Sequence, residues 1–292
     1  MAPQIDVFSE IKSRVGESPV WDAGRGSLIW VDIPAGRIYS ASLDGQGKDT
    51  WTLPEPVGSL GLADDGRLVV ALASGGALFD RDSGQLDGLV EIEPEQAGER
   101  PHRRLNDGKV GPDGAFWVAS MHKDAPGGAA LWRVTGDGLA EQKVSGLHIS
   151  NGIAFTGDGR SLYLADTGPG WIDRWHMDPA TGAISGRQRF ADRSDAVGHP
   201  DGGATDIEGH YWSADAAGAR LIRYDHEGNR VDVVDVPPLH PTMPCFGGED
   251  MRMIFVTSLR RPGDCNDDCG KVFCFLADVP GVSVNKFATT AP

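Results

Sequence analysis

Ile149-Ser150-Asn151-Gly152-Ile153-Ala154-Phe155-Thr156-Gly157-Asp158-Gly159-Arg160-Ser161-Leu162-Tyr163-Leu164-Ala165-Asp166 is the stretch on which the fold turns. An apolar run from Ile153 to Phe155 meets a Gly157-Asp158-Gly159 turn, and a second apolar run follows from Leu162 to Ala165. Two short apolar segments around a glycine turn predict a β-hairpin. Asn151 breaks the pattern, because it places a polar amide where a buried strand should begin.

The same unit recurs along the chain. A turn followed by an apolar or aromatic strand appears at Arg25-Gly26-Ser27-Leu28-Ile29-Trp30, Asp65-Gly66-Arg67-Leu68-Val69, Asp113-Gly114-Ala115-Phe116-Trp117 and Glu208-Gly209-His210-Tyr211-Trp212. A sixth copy, Glu249-Asp250-Met251-Arg252-Met253-Ile254, lacks the turn glycine. The glycine intervals are 40 (26 to 66), 48 (66 to 114), 45 (114 to 159) and 50 (159 to 209). A second strand signature follows each first one, as at Arg37-Ile38-Tyr39 and Leu221-Ile222-Arg223-Tyr224, and a further apolar segment, such as Val231 to Val236, usually closes the unit. No stretch carries sustained helical periodicity. Six copies of a unit with four short strands predict an all-β fold, a six-bladed β-propeller of about four antiparallel strands per blade, forming one domain over residues 1–292. Ring closure removes open sheet edges, so either Ile5 to Phe8 or Val282 to Phe287 is expected to supply the outer strand of the last blade. Trp30, Trp117 and Trp212 fall on strands and are expected between blades.

In a propeller the first strand of each blade lines the central channel. Counting back from the turn glycines locates its start. Eight residues before Gly114 is Asn106, eight before Gly159 is Asn151, and eight before Gly209 is Asp201. Nine before Gly26, whose turn is one residue longer, is Glu17; the second blade offers Gly58 and the sixth Met243 or a neighbour. Four of the six blades thus place a carboxylate or amide at one position facing one axis. Buried acceptors cost free energy unless satisfied, and a divalent cation satisfies them. Carboxylate and amide oxygens suit Mg²⁺, Ca²⁺ or Mn²⁺, and are compatible with Zn²⁺ or Fe²⁺. Arg104, two residues before Asn106, shares its strand face and could hold a substrate hydroxyl or carboxylate. His122 and Asp124, on a loop expected at the same mouth, are candidate substrate contacts. His148 and His199 are expected to be structural.

Composition narrows the partners. The net charge of −15 leaves no basic surplus for nucleic acid and disfavours anionic membranes. The 40 glycines and 19 prolines favour many tight turns. The start of the chain has neither a basic nor an apolar leader segment, so a cytoplasmic protein is expected; whether it is a monomer or weak dimer is left open. Cys245, Cys265, Cys269 and Cys274 are expected as free thiols. The chain has no Gly-x-Ser-x-Gly elbow, phosphate loop or dinucleotide fingerprint.

Gly16-Glu17-Ser18-Pro19-Val20-Trp21, Arg104-Leu105-Asn106-Asp107-Gly108-Lys109-Val110, Ile149-Ser150-Asn151-Gly152, Pro200-Asp201-Gly202 and Cys245-Phe246-Gly247-Gly248 resemble, in this order, the senescence-marker-protein (regucalcin)/gluconolactonase family. The resemblance runs over nearly the whole chain. It implies one divalent metal in the channel and hydrolysis of small sugar lactones to aldonic acids. It also implies Glu17, Asn151 and Asp201 as metal ligands, Asn106 near metal and substrate, and Arg104 as a substrate-binding arginine. Asp201 is then both ligand and candidate general base. The sequence departs from the animal members at Met121-His122-Lys123-Asp124, which bears on sugar preference. An aryl-ester or phosphotriester hydrolase with the same ligands, and a non-catalytic metal-binding propeller, remain alternatives.

Overall fold

The hairpin forms as the turn chemistry dictates: Ser150–Phe155 pairs antiparallel with Ser161–Asp166, and Trp171–Met177 and Ile184–Asp192 extend it to a four-stranded sheet. A computed structural model describes residues 3–44, 47–92, 103–194 and 196–290, and there the same strand order recurs in six sheets. The sheets are the blades of a six-bladed β-propeller. Their innermost strands are Gly16–Asp22, Val57–Ala63, Arg103–Val110, Ser150–Phe155, His199–Thr205 and Pro241–Gly247. Each innermost strand packs on those of the two neighbouring blades, so the ring closes between the first blade and the sixth. Among the described residues no helix is long and apolar enough to cross a membrane.

Burial explains the sequence pattern. Gly16–Asp22 and Val57–Ala63 are buried along their whole length, so they show no polar alternation. The fourth strands, such as Lys48–Thr52, meet solvent and are mostly polar. Aromatic side chains fill the seams. Trp117 packs edge-on against Phe155 between blades three and four, and Trp212 likewise against Phe246 between blades five and six. Tyr163 stacks on Tyr211 between blades four and five, with ring centroids 4.7 Å apart. Burying such rings contributes about 2–3 kcal/mol each on transfer alone.

The two termini take different parts. Asp6–Ser9 pairs antiparallel with Val272–Leu276 and is the outer strand of the sixth blade. The C-terminal segment does not compete for that place. It crosses the end of the channel where the turns between the first and second strands lie. Val282 N donates to Thr205 O (3.1 Å), Asn285 Nδ2 to Val110 O (3.2 Å) and Ala288 N to Gly114 O (2.9 Å), while Lys286–Phe287 runs parallel to Val57–Ala63. Phe287 of this strap is fully buried, packed in a cluster with Ala63, Val69 and Phe116.

Candidate active site

Each innermost strand carries one more residue than the stretch of its neighbour that it faces, at one recurring place. The extra residue lies between Glu17 and Val20, Val57 and Ser59, Leu105 and Gly108, Asn151 and Ala154, Pro200 and Gly203, and Pro241 and Met243. Such a bulge breaks the period-two alternation and re-aims the side chain beside it. It turns Glu17, Asn106, Asn151 and Asp201 toward one pocket. In blades one and four the next residue has a left-handed backbone, φ +48° at Ser18 and +63° at Gly152. Ser18 pays for that conformation with a hydroxyl that accepts from Leu60 N at 2.9 Å.

The pocket, about 180 Å³, lies at the mouth opposite the C-terminal strap. Glu17, Arg104, Asn106, Asn151 and Asp201 all line it, so the structure brings together five of the seven residues expected at a site. The four in matched positions are between 6% and 8% exposed, which leaves little room for water to solvate their charges.

The hydrogen bonds set which way each amide faces. Thr167 Oγ1 donates to Pro200 O (2.7 Å), so toward Asn151 it can only accept; Asn151 therefore presents Nδ2 to it (2.8 Å) and turns Oδ1 to the axis. Asn106 meets the donor-only Arg104 with its Oδ1 (2.6 Å), and both its N–H groups are used, on Ser150 O (2.9 Å) and Asn151 Oδ1 (2.7 Å). Asn106 thus binds and orients its two neighbours, while Asn151 keeps an oxygen lone pair for a ligand. Below the pocket rim, Asp32 accepts from Arg14 N and Val15 N, and Asp166 accepts from His148 N and Ile149 N. These two aspartates hold the starts of the strands that bear Glu17 and Asn151.

The carboxylates are under-compensated. Burial, then the charges of Asp201 and Asp107, raise the Glu17 carboxyl well above its usual range. Burial, then Asp107, pushes Asp201 up to about 8, against a pull from Gly202 N–H and Arg104. Burial brings the Arg104 guanidinium down to about 10 despite both carboxylates. Glu17 Oε2 accepts from Ser18 N (2.8 Å), and this neutral donor does not offset a full charge. Two buried carboxylates and an amide oxygen around one axis form a hard, anionic donor set. Glu17, Asn151 and Asp201 could therefore hold a divalent cation.

His122 and Asp124 are not among the residues lining the pocket. The reason is strand alternation: Met121 pairs with Arg104 and lines the pocket, so His122, the next residue along, points to the other face. His148 bonds Lys123 O through Nε2 at 3.1 Å on the surface, as a structural histidine would. His199 differs from expectation. It is exposed and lines the pocket, because it begins the strand whose third residue is Asp201. His240 and Arg261 also line the pocket and had no marker in the repeat pattern.

Among the described residues, one group of His and carboxylate side chains has metal-like spacing, Asp206, Glu208 and His210. Its charge is already spent. Asp206 accepts from Trp212 Nε1 (3.0 Å) and Arg223 Nε (2.8 Å), and Arg223 also pairs with Glu208. Asp113 uses Trp117 Nε1 and Arg133 Nε in the same way two blades earlier, so this is a repeated brace of the fold.

The comparisons with known proteins agree with this geometry. The chain is 36% identical over 287 residues to a 6-deoxy-6-sulfogluconolactonase of Pseudomonas putida, covering 94% of this chain and 96% of that one. It is 31% identical to an L-arabinolactonase of Azospirillum brasilense, covering 99% and 97%. The crystal structure of regucalcin, a calcium-binding protein of Agrobacterium tumefaciens strain C58, superposes with a TM-score of 0.91 at 28% identity, over 98% of this chain and 97% of that one. Residues 15–260 match the family described as the SMP-30/gluconolactonase/LRE-like region, a span that runs from the strand bearing Glu17 to the loop that follows the sixth blade's second strand. With its six bladed sheets and polar axial ring, the chain belongs to that family.

Proposed function

We propose that the protein is a divalent-metal-dependent hydrolase that opens sugar lactones to aldonic acids. The observation that carries this reading is the convergence of Glu17, Asn151 and Asp201 with Arg104 and Asn106 on one pocket. Relatives named as sugar lactonases along nearly the whole chain supply the reaction class.

Glu17, Asn151 Oδ1 and Asp201 would hold the cation. A divalent ion bound there would polarise the lactone carbonyl and offset the charge that develops on its oxygen. Asp201 carries the proton work. Its carboxylate takes a proton from the attacking water and returns it to the ring oxygen as the C–O bond breaks, so acid and alkoxide are never both charged. Arg104 uses NH1 on Leu105 O (2.9 Å) and on Asn106, which leaves its Nε and NH2 edge for substrate hydroxyls. Asn106 keeps Arg104 and Asn151 in place, a positioning contribution.

The test is an initial-rate assay with a pH indicator on glucono-δ-lactone, arabinono-γ-lactone, xylonolactone and galactonolactone. The protein is used chelated, then reloaded with Ca²⁺, Mg²⁺, Mn²⁺ or Zn²⁺, with an aryl ester and a phosphotriester as controls. Chelation and Asp201→Ala should each remove lactone hydrolysis, with a fall in kcat/KM of at least about a thousandfold. Lactone hydrolysis that survives both treatments overturns the reading.

A further inference from the structure

Arg104 and Arg261 face the pocket from opposite sides. Arg104 belongs to the third blade and Arg261 to the loop between the second and third strands of the sixth, and in a closed ring of six these blades are diametrically opposed. Their situations differ. Arg104 lies deep, hydrogen-bonded to Asn106 and next to the charges of Glu17 and Asp201, so its charge is used inside the site. Arg261 stands at the rim with its side chain 62% exposed.

The loop that carries Arg261 is built to hold it there. Arg261-Pro262-Gly263-Asp264 is a tight turn, with Asp264 N donating to Arg261 O (3.0 Å) and Gly263 at φ +82°. Proline followed by a left-handed glycine is the requirement of a type II turn. The loop is tied to the first blade by Arg260 N on Arg14 O (2.9 Å) and to the strand edge at His240 by Nε2 against Asp264 O (2.8 Å). Asn266 Nδ2 on Pro237 O adds a third tie. Among the described residues Arg261 has one ion-pair partner, the Asp264 carboxylate at 3.9 Å, and the same carboxylate lies nearer the His240 ring, at 3.3 Å. An exposed ion pair at that distance contributes little. The guanidinium therefore has most of its hydrogen-bonding capacity in hand, in a protein whose net charge is −15.

A sugar lactone whose carbonyl sits on the floor of the pocket, among Glu17, Asn151 and Asp201, directs its exocyclic carbons to the rim. We propose that the pocket favours lactones bearing an anionic group, a carboxylate, sulfonate or phosphate, on the carbon farthest from the carbonyl, and that Arg261 recognises that group. This rests on the lactonase reading above. A fork of N–H donors matches all three anions. A hydroxymethyl group at the same place would leave the guanidinium as it is.

The experiment compares glucaro-γ-lactone with glucono-γ-lactone, which differ only in a terminal carboxylate against a hydroxymethyl group. The terminal sulfonate and phosphate analogues rank the anions. Wild-type kcat/KM should favour the anionic lactone by about tenfold, the worth of one partly exposed charge-assisted contact, and the preference should fall as salt is added. Arg261→Met should remove the preference through KM, with the neutral lactone changed less than about twofold. Arg261→Lys should restore part of it, since it keeps the charge and loses the fork. Equal rates for the two lactones in the wild type, or an equal loss on both in Arg261→Met, overturns the proposal while leaving the lactonase reading intact. If no lactone is hydrolysed, the lactonase reading fails by itself. Calorimetric binding of glucarate against gluconate then decides: tighter glucarate binding that Arg261→Met abolishes supports the rim site, and equal binding overturns it.

Discussion

The stability of the metal-free protein should fall as pH rises from 5 to 8, and Asp201→Asn should flatten that fall. Asp201 has an ordinary carboxyl value of 3.8 and stands at about 8 in the fold. The folded chain therefore holds a proton that the unfolded chain has released across this window. The stabilisation is complete below the unfolded value and is lost as pH rises through the folded one. One such group costs on the order of 1 kcal/mol per pH unit, or about 3 kcal/mol from pH 5 to 7. With an unfolding entropy on the order of 0.6 kcal/mol/K for a chain of this size, that is a fall of about 5 °C in Tm. Glu17 shifts in the same direction and partly through Asp201, so the asparagine variant relaxes both. The assay is calorimetry of chelated wild type and Asp201→Asn at several pH values, repeated with saturating divalent cation. The cation stabilises the ionised carboxylates and should remove most of the wild-type slope. The acidic surface adds its own slope, which the two proteins share. Parallel slopes for chelated wild type and variant would refute the electrostatic account of the site.

Two further substitutions probe how the site is held. Thr167→Val removes the acceptor that fixes the Asn151 amide, and should weaken metal affinity about tenfold by titration calorimetry with little change in Tm; unchanged affinity would mean that Asn151 needs no such support. Gly58→Ala adds a Cβ 2.6 Å from both Leu105 O and Asn106 O, which are backbone atoms with nowhere to move. It should destabilise by about 1–3 kcal/mol and lower Tm by about 2–5 °C, read by thermal denaturation.

Much of this was legible in the chain. The repeat of a glycine turn followed by an apolar strand has a physical cause, since each blade must turn at the same point and bury the same strand. That is why counting back from Gly114, Gly159 and Gly209 reached Asn106, Asn151 and Asp201. The count could not show why those side chains face inward. Glycine stands in three of the six bulges, at positions 58, 152 and 202, and Ser18, Asp107 and Thr242 stand in the others, so no single residue type marks the insertion. His122 and Asp124 were placed by their loop, and the alternation that sends Met121 inward instead needs the pairing with Arg104 to be known. His240 precedes the innermost strand of the sixth copy, which has lost its turn glycine, so the count is open there; Arg261 lies on the loop from Arg260 to Cys269, which joins second and third strands and so belongs to the same mouth. The strap at the C-terminus looked like a spare outer strand because its apolar residues suit either place.

The strap also bears on traffic through the channel. Beneath the polar ring the innermost strands touch: a side chain at Gly58 would meet the backbone of the third blade, and one at Gly152 would meet Tyr211. Lys109 Nζ reaches across to Gly203 O at 2.8 Å, and the C-terminal residues from Val282 to Asn285 line the cavity that remains below. The pocket is therefore a cul-de-sac. Whatever enters must leave by the same door, so a spent molecule blocks the next arrival until it departs. Inhibition by product should be purely competitive, and turnover should slow in step with product as it accumulates.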